Sequence, residues 1–173
     1  MLFRPFKRTP ETPPDDAAWW RDAGSAERAP TPVAVAELRA RMVSPDRSPD
    51  EAERQEEMID GLERLRDLTG QAELPVLATQ HRVIGGAACH FTAPASLVGQ
   101  VDAPGKLFIT SHGLTFAGGR VLTCPWHRVR AIVRDGRAIV VTIAGAADPI
   151  AIVCNSYGDA MTARHLAARL RPA

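Results

Sequence analysis

The sequence predicts an α+β protein in which helices come first and an antiparallel sheet follows. Helical periodicity and a helix-capping pattern mark the segment before Pro75. After Pro75 come about seven short runs rich in β-branched residues, with turn residues every eight to twelve positions. A last helical segment begins near Ser156. Together these features predict a seven-stranded antiparallel sandwich or partly open barrel, capped by a C-terminal helix and preceded by an N-terminal helical extension.

Bulk composition allows a full hydrophobic core. The chain is 45% hydrophobic and carries a net charge of +1. No run approaches the roughly 18 apolar residues of a membrane-spanning helix, and the start, MLFRPFKRTP, lacks the apolar centre of a secretory signal. Cys89, Cys124 and Cys154 are an odd number of thiols, at spacings that favour no disulfide framework. We therefore expect a cytoplasmic protein, with peripheral attachment to a membrane left open.

Residues 1–31 are expected to be disordered or loosely docked, because prolines and scattered charges leave no sustained period. Trp19 and Trp20 are the exception, since two neighbouring indoles are costly to leave in water. They predict docking of this segment on the protein's own surface, or an anchor for a partner or a membrane.

Residues 32–72 are predicted to form the helical extension, with two helices. Thr31 and Pro32 suit the start of the first helix. The second begins with a capping box, in which Ser48 caps the first turn and Glu51 reaches back to it.

The second of these helices, 49–69, carries an apolar stripe through Met58, Leu62 and Leu65. An isolated helix of this length is marginal in water. We therefore expect the stripe to dock on the β domain or on a second copy of the chain, which would make the protein a homo-oligomer.

Residues 78–173 are predicted to form the β domain and its terminal helix, which Ser156 should cap. Gly118-Gly119 indicates one hairpin. Asp135-Gly136, between two alternating runs, indicates another, for which we expect a type I′ turn with Asp135 and Gly136 at its centre.

The stretch HRVRAIVRDGRAIVV, residues 127–141, interleaves arginines with apolar side chains. Because a strand turns successive side chains to opposite faces, we expect Val129, Ala131 and Val133 to share one face. The opposite, wet face should then carry Arg128, Arg130, Ile132 and Arg134. The basic side chains on and near this hairpin are also the candidate patch for an anionic ligand: Arg120, Arg128, Arg130, Arg134 and Arg137.

Charge is unevenly divided along the chain. Residues 1–75 have a net charge of −5 and residues 76–173 a net charge of +6. This asymmetry favours docking between the two parts, or an anionic partner for the second. Arginine outnumbers lysine 19 to 2, a bacterial-like composition typical of GC-rich genomes.

The strands and terminal helix resemble the pleckstrin-homology-like (PH-like) superfamily, and their local texture is most similar to its GRAM branch. The matching stretches are GKLFITSHGLTFAGG, 105–119, and PWHRVRAIVRDGRAIVV, 125–141, with Phe116 as the buried aromatic. The resemblance covers about residues 80–171. It implies a binding module for lipids or protein segments, without catalysis. The loop that carries the basic residues of lipid-binding relatives, here APASLVGQVDAPGK, offers only Lys106, too few donors for an inositol phosphate.

Metal and catalytic sites have little support. Cys124 and His127 have a C-x-x-H spacing, but Cys89 and His90 would point to opposite faces of a strand, whereas structural zinc needs four converging ligands. No third group is placed to orient Cys124 and His127 for nucleophilic chemistry. We expect no cofactor and no metal. Nucleic acid is not expected as a partner either, since the strands show no aromatic platform on which bases would stack.

These observations favour a non-enzymatic binding module that docks to a protein partner or to an anionic membrane surface. The alternative is a small hydrolase, or a redox or metal protein, that uses Cys124 and His127.

Overall fold

Four α-helices and seven strands lie within residues 17–42, 48–79, 81–99 and 103–172, the part of the chain that a computed structural model describes. The helices are α1 (Ala17–Arg28), α2 (Pro32–Arg41), α3 (Pro49–Thr69) and α4 (Tyr157–Leu170). The strands are β1 (Cys89–Leu97), β2 (Ala103–Thr110), β3 (Gly113–Ala117), β4 (Val121–Pro125), β5 (Val129–Asp135), β6 (Ala138–Ile143) and β7 (Ile150–Cys154).

All strands pair antiparallel in one sheet of order β4-β3-β2-β1-β7-β6-β5. β1 pairs with β2 along its whole length, but with β7 only from Ala95 to Leu97. β4 and β5 lie at the two edges, so the sheet does not close into a barrel. The predicted α+β, PH-like sandwich with a C-terminal helix is confirmed.

The main core lies between the sheet and one face of α4. Phe116, the aromatic expected to be buried, is fully enclosed there. Its neighbours in this core include Leu107, Ile109, Leu114, Ile139, Val141 and Ile152 from the sheet, and Ala160, Ala163, Leu166 and Ala167 from α4.

A second core packs α1, α2 and α3 against the other face of α4. It contains Trp19, Val35, Leu38, Met58, Ile59, Leu62, Tyr157 and Met161. α3 and α4 touch backbone to backbone at Gly61 and Gly158, because a Cβ on Gly61 would lie 2.6 Å from the Gly158 Cα. The predicted stripe of α3 is therefore covered within the chain and is not left open to a second copy.

The expectation that residues 1–31 are disordered or loosely docked does not hold for α1. Trp19 is fully buried, and its indole N–H donates to the Leu38 carbonyl at 3.0 Å. Burial of this ring stabilises the docked helix and opposes the entropy lost on ordering it. Residues 1–16 lie outside the described residues.

The predicted caps of three helices form, but the capping box is only half made. The hydroxyl groups of Thr31, Ser48 and Ser156 each accept a backbone N–H bond in the first turn. Glu51 instead turns inward, is fully buried, and accepts the Trp20 indole N–H at 2.6 Å. The Glu51 carboxylate therefore bonds to Trp20 of another helix, whereas the sequence pattern predicted a bond to the N-terminus of its own helix.

Both predicted hairpins form. A three-residue turn, 118–120, joins β3 to β4. In the other hairpin Asp135 pairs with Ala138, so the central residues are Gly136 and Arg137. Gly136 has a φ of +61°, whereas no described non-glycine residue has a positive φ. This is the pattern of a type II′ turn, and the predicted type I′ turn centred on Asp135 and Gly136 is wrong.

Candidate functional site

A β-bulge in β5 decides where the arginines of this strand go. Val129 pairs with Ile143, and Ala131 with Thr142, so Arg130 is an extra residue with no partner of its own. A bulge of this kind leaves one residue outside the ladder and bends the strand.

The bulge exchanges the faces of the residues that follow it. Ile132 packs against the main core, and Arg134 pairs with the buried Ile139, whereas Val133 is 54% exposed. The predicted face assignment is therefore wrong after Arg130, because a slip of one residue moves every later side chain to the other face.

Arg134 ends in a nearly buried ion pair with α1. Its Nε donates to both carboxylate oxygens of Glu27, at 3.1 and 3.0 Å, and its side chain is 15% exposed. The Glu27 side chain is 8% exposed. Arg164 of α4 approaches the same carboxylate, with 3.3 Å between its Nη1 and Oε1. One carboxylate is thus held between guanidinium groups from β5 and α4.

A further arginine lies two helical turns along α4. Arg171, just after the helix, donates from Nη1 to the Arg130 carbonyl at 3.0 Å. Arg164 and Arg171 are seven residues apart, a rise of about 10 Å along a helix. Among the described residues, no carboxylate forms an ion pair with Arg130 or Arg171.

These residues border the line where β5 meets α4, which we call the arginine seam: Arg130, Arg134, Arg164 and Arg171. Two of them, Arg134 and Arg164, contact the carboxylate of Glu27. β5 is an edge strand. Because residues 131, 133 and 135 share the hydrogen-bonded register set by the hairpin, the backbone groups of Ile132 and Arg134 face away from β6.

Of the other predicted patch residues, Arg128 lies two positions before Arg130, whereas Arg120 and Arg137 lie outside the seam. Arg137 bonds to Glu57 at 2.8 Å and lies over the Tyr157 ring. Arg120 is exposed in the turn between β3 and β4, and Arg128 donates to the Ala144 carbonyl. The structure therefore divides the predicted patch into separate places.

The tryptophans predicted as an anchor face inward. Trp19 is fully buried, and Trp20 is half-buried between Glu51 and the Tyr157 ring. Their indoles join α1 to α2, α3 and α4, as the alternative of docking on the protein's own surface predicted.

Cys124 and His127 differ in their exposure to solvent. The Cys124 thiol is 1% exposed in the main core, and burial raises its pKa, although the charge of Arg128 acts in the opposite direction. His127 is exposed on a short 3₁₀ turn, Trp126–Arg128. Burial, with the Asp159 carboxylate, raises the pKa of Cys154 to about 12. These thiols stay protonated at neutral pH, which is the unreactive form.

Within the described ranges no three metal-ligating side chains come together, and no helix is long and apolar enough to cross a membrane.

The sequence did not predict three residues of this site, Glu27, Arg164 and Arg171. Glu27 lies in a segment that the prolines marked as disordered, so no signal pointed to it. The seven-residue spacing of Arg164 and Arg171 places them on one side of α4. That spacing was the one available signal, but their proximity to β5 depends on tertiary packing.

No protein-family model matches the chain, and no curated protein matches it. Among solved structures, the C-terminal domain of an unknown protein from Leishmania infantum is 20% identical, with a TM-score of 0.43, over 50% of this chain and 87% of that one. The FERM and C-terminal domain complex of Drosophila Merlin is 14% identical, with a TM-score of 0.37, over 92% of this chain and 59% of that one.

The complex of PDZ-RhoGEF DH/PH domains with GTP-γ-S activated RhoA is 11% identical, with a TM-score of 0.40. The match covers 87% of this chain and 53% of that one. The PH-like architecture of this chain rests on its own strand order and terminal helix, and its place in the GRAM branch stays a prediction.

Proposed function

We propose that this chain is a non-enzymatic binding module that docks an acidic segment of a protein partner along the arginine seam. The observation that carries the proposal is the charge balance of the seam, whose four arginines have one ion-paired carboxylate, Glu27, among the described residues. Glu27 indicates the kind of ligand, because Arg134 and Arg164 already bind its carboxylate.

A protein segment fits the seam better than a bilayer does. Arg134 is recessed and its side chain is 15% exposed, so this guanidinium is reached by a narrow segment more easily than by a flat anionic surface. A peptide chain also offers backbone groups to the free edge of β5 at Ile132 and Arg134, which a lipid headgroup does not.

The proposal is tested by fluorescence anisotropy with a labelled decaglutamate peptide. We expect the wild type to bind it and the double variant R130Q/R171Q to bind it about tenfold or more weakly, because each hydrogen bond to a charged group contributes about 1.5–3 kcal/mol. The matched control is R82Q/R120Q, which removes the same charge from exposed arginines outside the seam.

Equal binding by R130Q/R171Q and R82Q/R120Q would show that the peptide senses net charge and not the seam. Co-sedimentation with vesicles of phosphatidylserine and phosphatidylcholine, against phosphatidylcholine alone, tests the membrane alternative. Binding to the anionic vesicles with no binding of the peptide would favour a membrane surface and contradict the protein partner.

A further inference from the structure

Glu27 occupies the position in the arginine seam that a carboxylate of the proposed partner would take. We propose that Glu27 is a built-in competitor, and that the second half of α1 must swing away before the Arg134–Arg164 end of the seam can bind a partner. This inference rests on the proposed function and names the regulation of the same site.

The two halves of α1 are held very differently. The first half carries Trp19, which is fully buried, and Trp20, which is bonded to Glu51. The second half, from Gly24 onward, buries only the small side chain of Ala26, and its ion pairs to β5 and α4 are those of Glu27. Since an alanine contributes little burial energy, the carboxylate is the principal contact that holds this half down.

There is space for the second half of α1 to move. A cavity of about 290 Å³ lies between α1 and α2, lined by Ser25 and Ala26 on one side and by Ala34 and Leu38 on the other. Gly24 separates the two halves of α1, and no atom lies within 4 Å of the point that its Cβ would occupy. Packing therefore does not require glycine at this position, although glycine weakens a helix interior.

The competition is exchange of one carboxylate for another. In the closed form Arg134 and Arg164 share the single carboxylate of Glu27, and in the open form both are free for an acidic side chain of the partner. The apparent affinity of the seam is then the intrinsic affinity multiplied by the population of the open form.

The competitor role of Glu27 is tested by measuring the affinity for the decaglutamate peptide in two variants, one expected to bind more tightly and one more weakly. We expect E27Q to bind roughly tenfold more tightly than the wild type, as is usual for a coupling of this kind. G24A, which favours the continuous helix, should bind roughly threefold more weakly. The matched control is E57Q, which breaks the ion pair to Arg137 outside the seam and should leave the affinity unchanged.

A measurement on the wild type covers the case in which E27Q fails to fold. Saturating peptide should speed hydrogen exchange at the backbone amides of residues 26–29 and leave the amides around Trp20 unchanged. If E27Q and the wild type bind equally while R130Q/R171Q weakens both, the competitor role is wrong and the proposed function stands. If neither E27Q nor the wild type binds the peptide, both proposals fall.

Discussion

The two faces of α4 pack against two different cores, and they use different residues to do so. Towards the sheet, α4 presents small residues and one leucine, Ala160, Ala163, Leu166 and Ala167. Towards α1–α3 it presents Tyr157, Met161 and the bare backbone of Gly158. One helix thus belongs to two cores. The sequence pattern changes near Pro75, where the helical region gives way to the β domain. We propose that these two regions nevertheless unfold together.

The largest expected effect comes from emptying the helical core. Trp19→Ala removes a fully buried ring, and large-to-small changes of this kind cost about 3–5 kcal/mol. Because α4 is shared, we expect the sheet to lose the same stability. Urea unfolding followed by the amide NMR signals of β2 and of α3 checks this, with Leu166→Ala as the matched change on the other face. A transition of β2 that keeps its wild-type midpoint in Trp19→Ala would separate the two regions.

A smaller effect is expected where the helices touch. Helix propensity alone favours Gly61→Ala by about 0.5–1 kcal/mol. However, the new Cβ would lie 2.2 Å from the Met161 Cε and 2.6 Å from the Gly158 Cα. Overpacking costs about 1–3 kcal/mol, so we expect net destabilisation in urea. Gly86→Ala, which meets no atom within 4 Å, is the control. A stabilised Gly61→Ala would mean that α3 shifts freely on α4.

The smallest effect concerns pH. Burial, with the nearby charges of Arg169 and Arg164, lowers the pKa of His165 on α4 below 6.5. The unfolded chain therefore takes up this proton first as the pH falls through about 6.5, and stability is lost below that point. We expect His165→Gln to reduce the difference between the unfolding free energies measured at about pH 7.5 and about pH 5.5. An unchanged difference would show that His165 is accessible to water.

Sequence patterns predicted the elements well where local chemistry decides them. The Ser48 and Ser156 caps, the strand count and the hairpin at Gly136 all depend on residues close in the chain. The patterns were wrong where a distant group intervened. Glu51 bonds to Trp20 and does not complete the capping box. The helix α1 is ordered because Leu38 and α4 cover Trp19.

The site was the least predictable part for the same reason. Two of its arginines, Arg130 and Arg134, were candidates from the sequence. Arg164, Arg171 and Glu27 come from segments that only tertiary packing brings to β5. A strand pattern cannot show a partner that is more than a hundred residues away in the chain.

The bulge at Arg130 decides the direction of Arg134 without any change of residue. If Arg130 took a regular place in the ladder, Arg134 would point into solvent and Val133 into the interior, with every side chain of the strand unchanged in identity. The link to α1 therefore depends on the pairing register of β5 as well as on its arginines. A count of basic residues in this strand would not show that difference, whereas the register of Arg134 opposite Ile139 does.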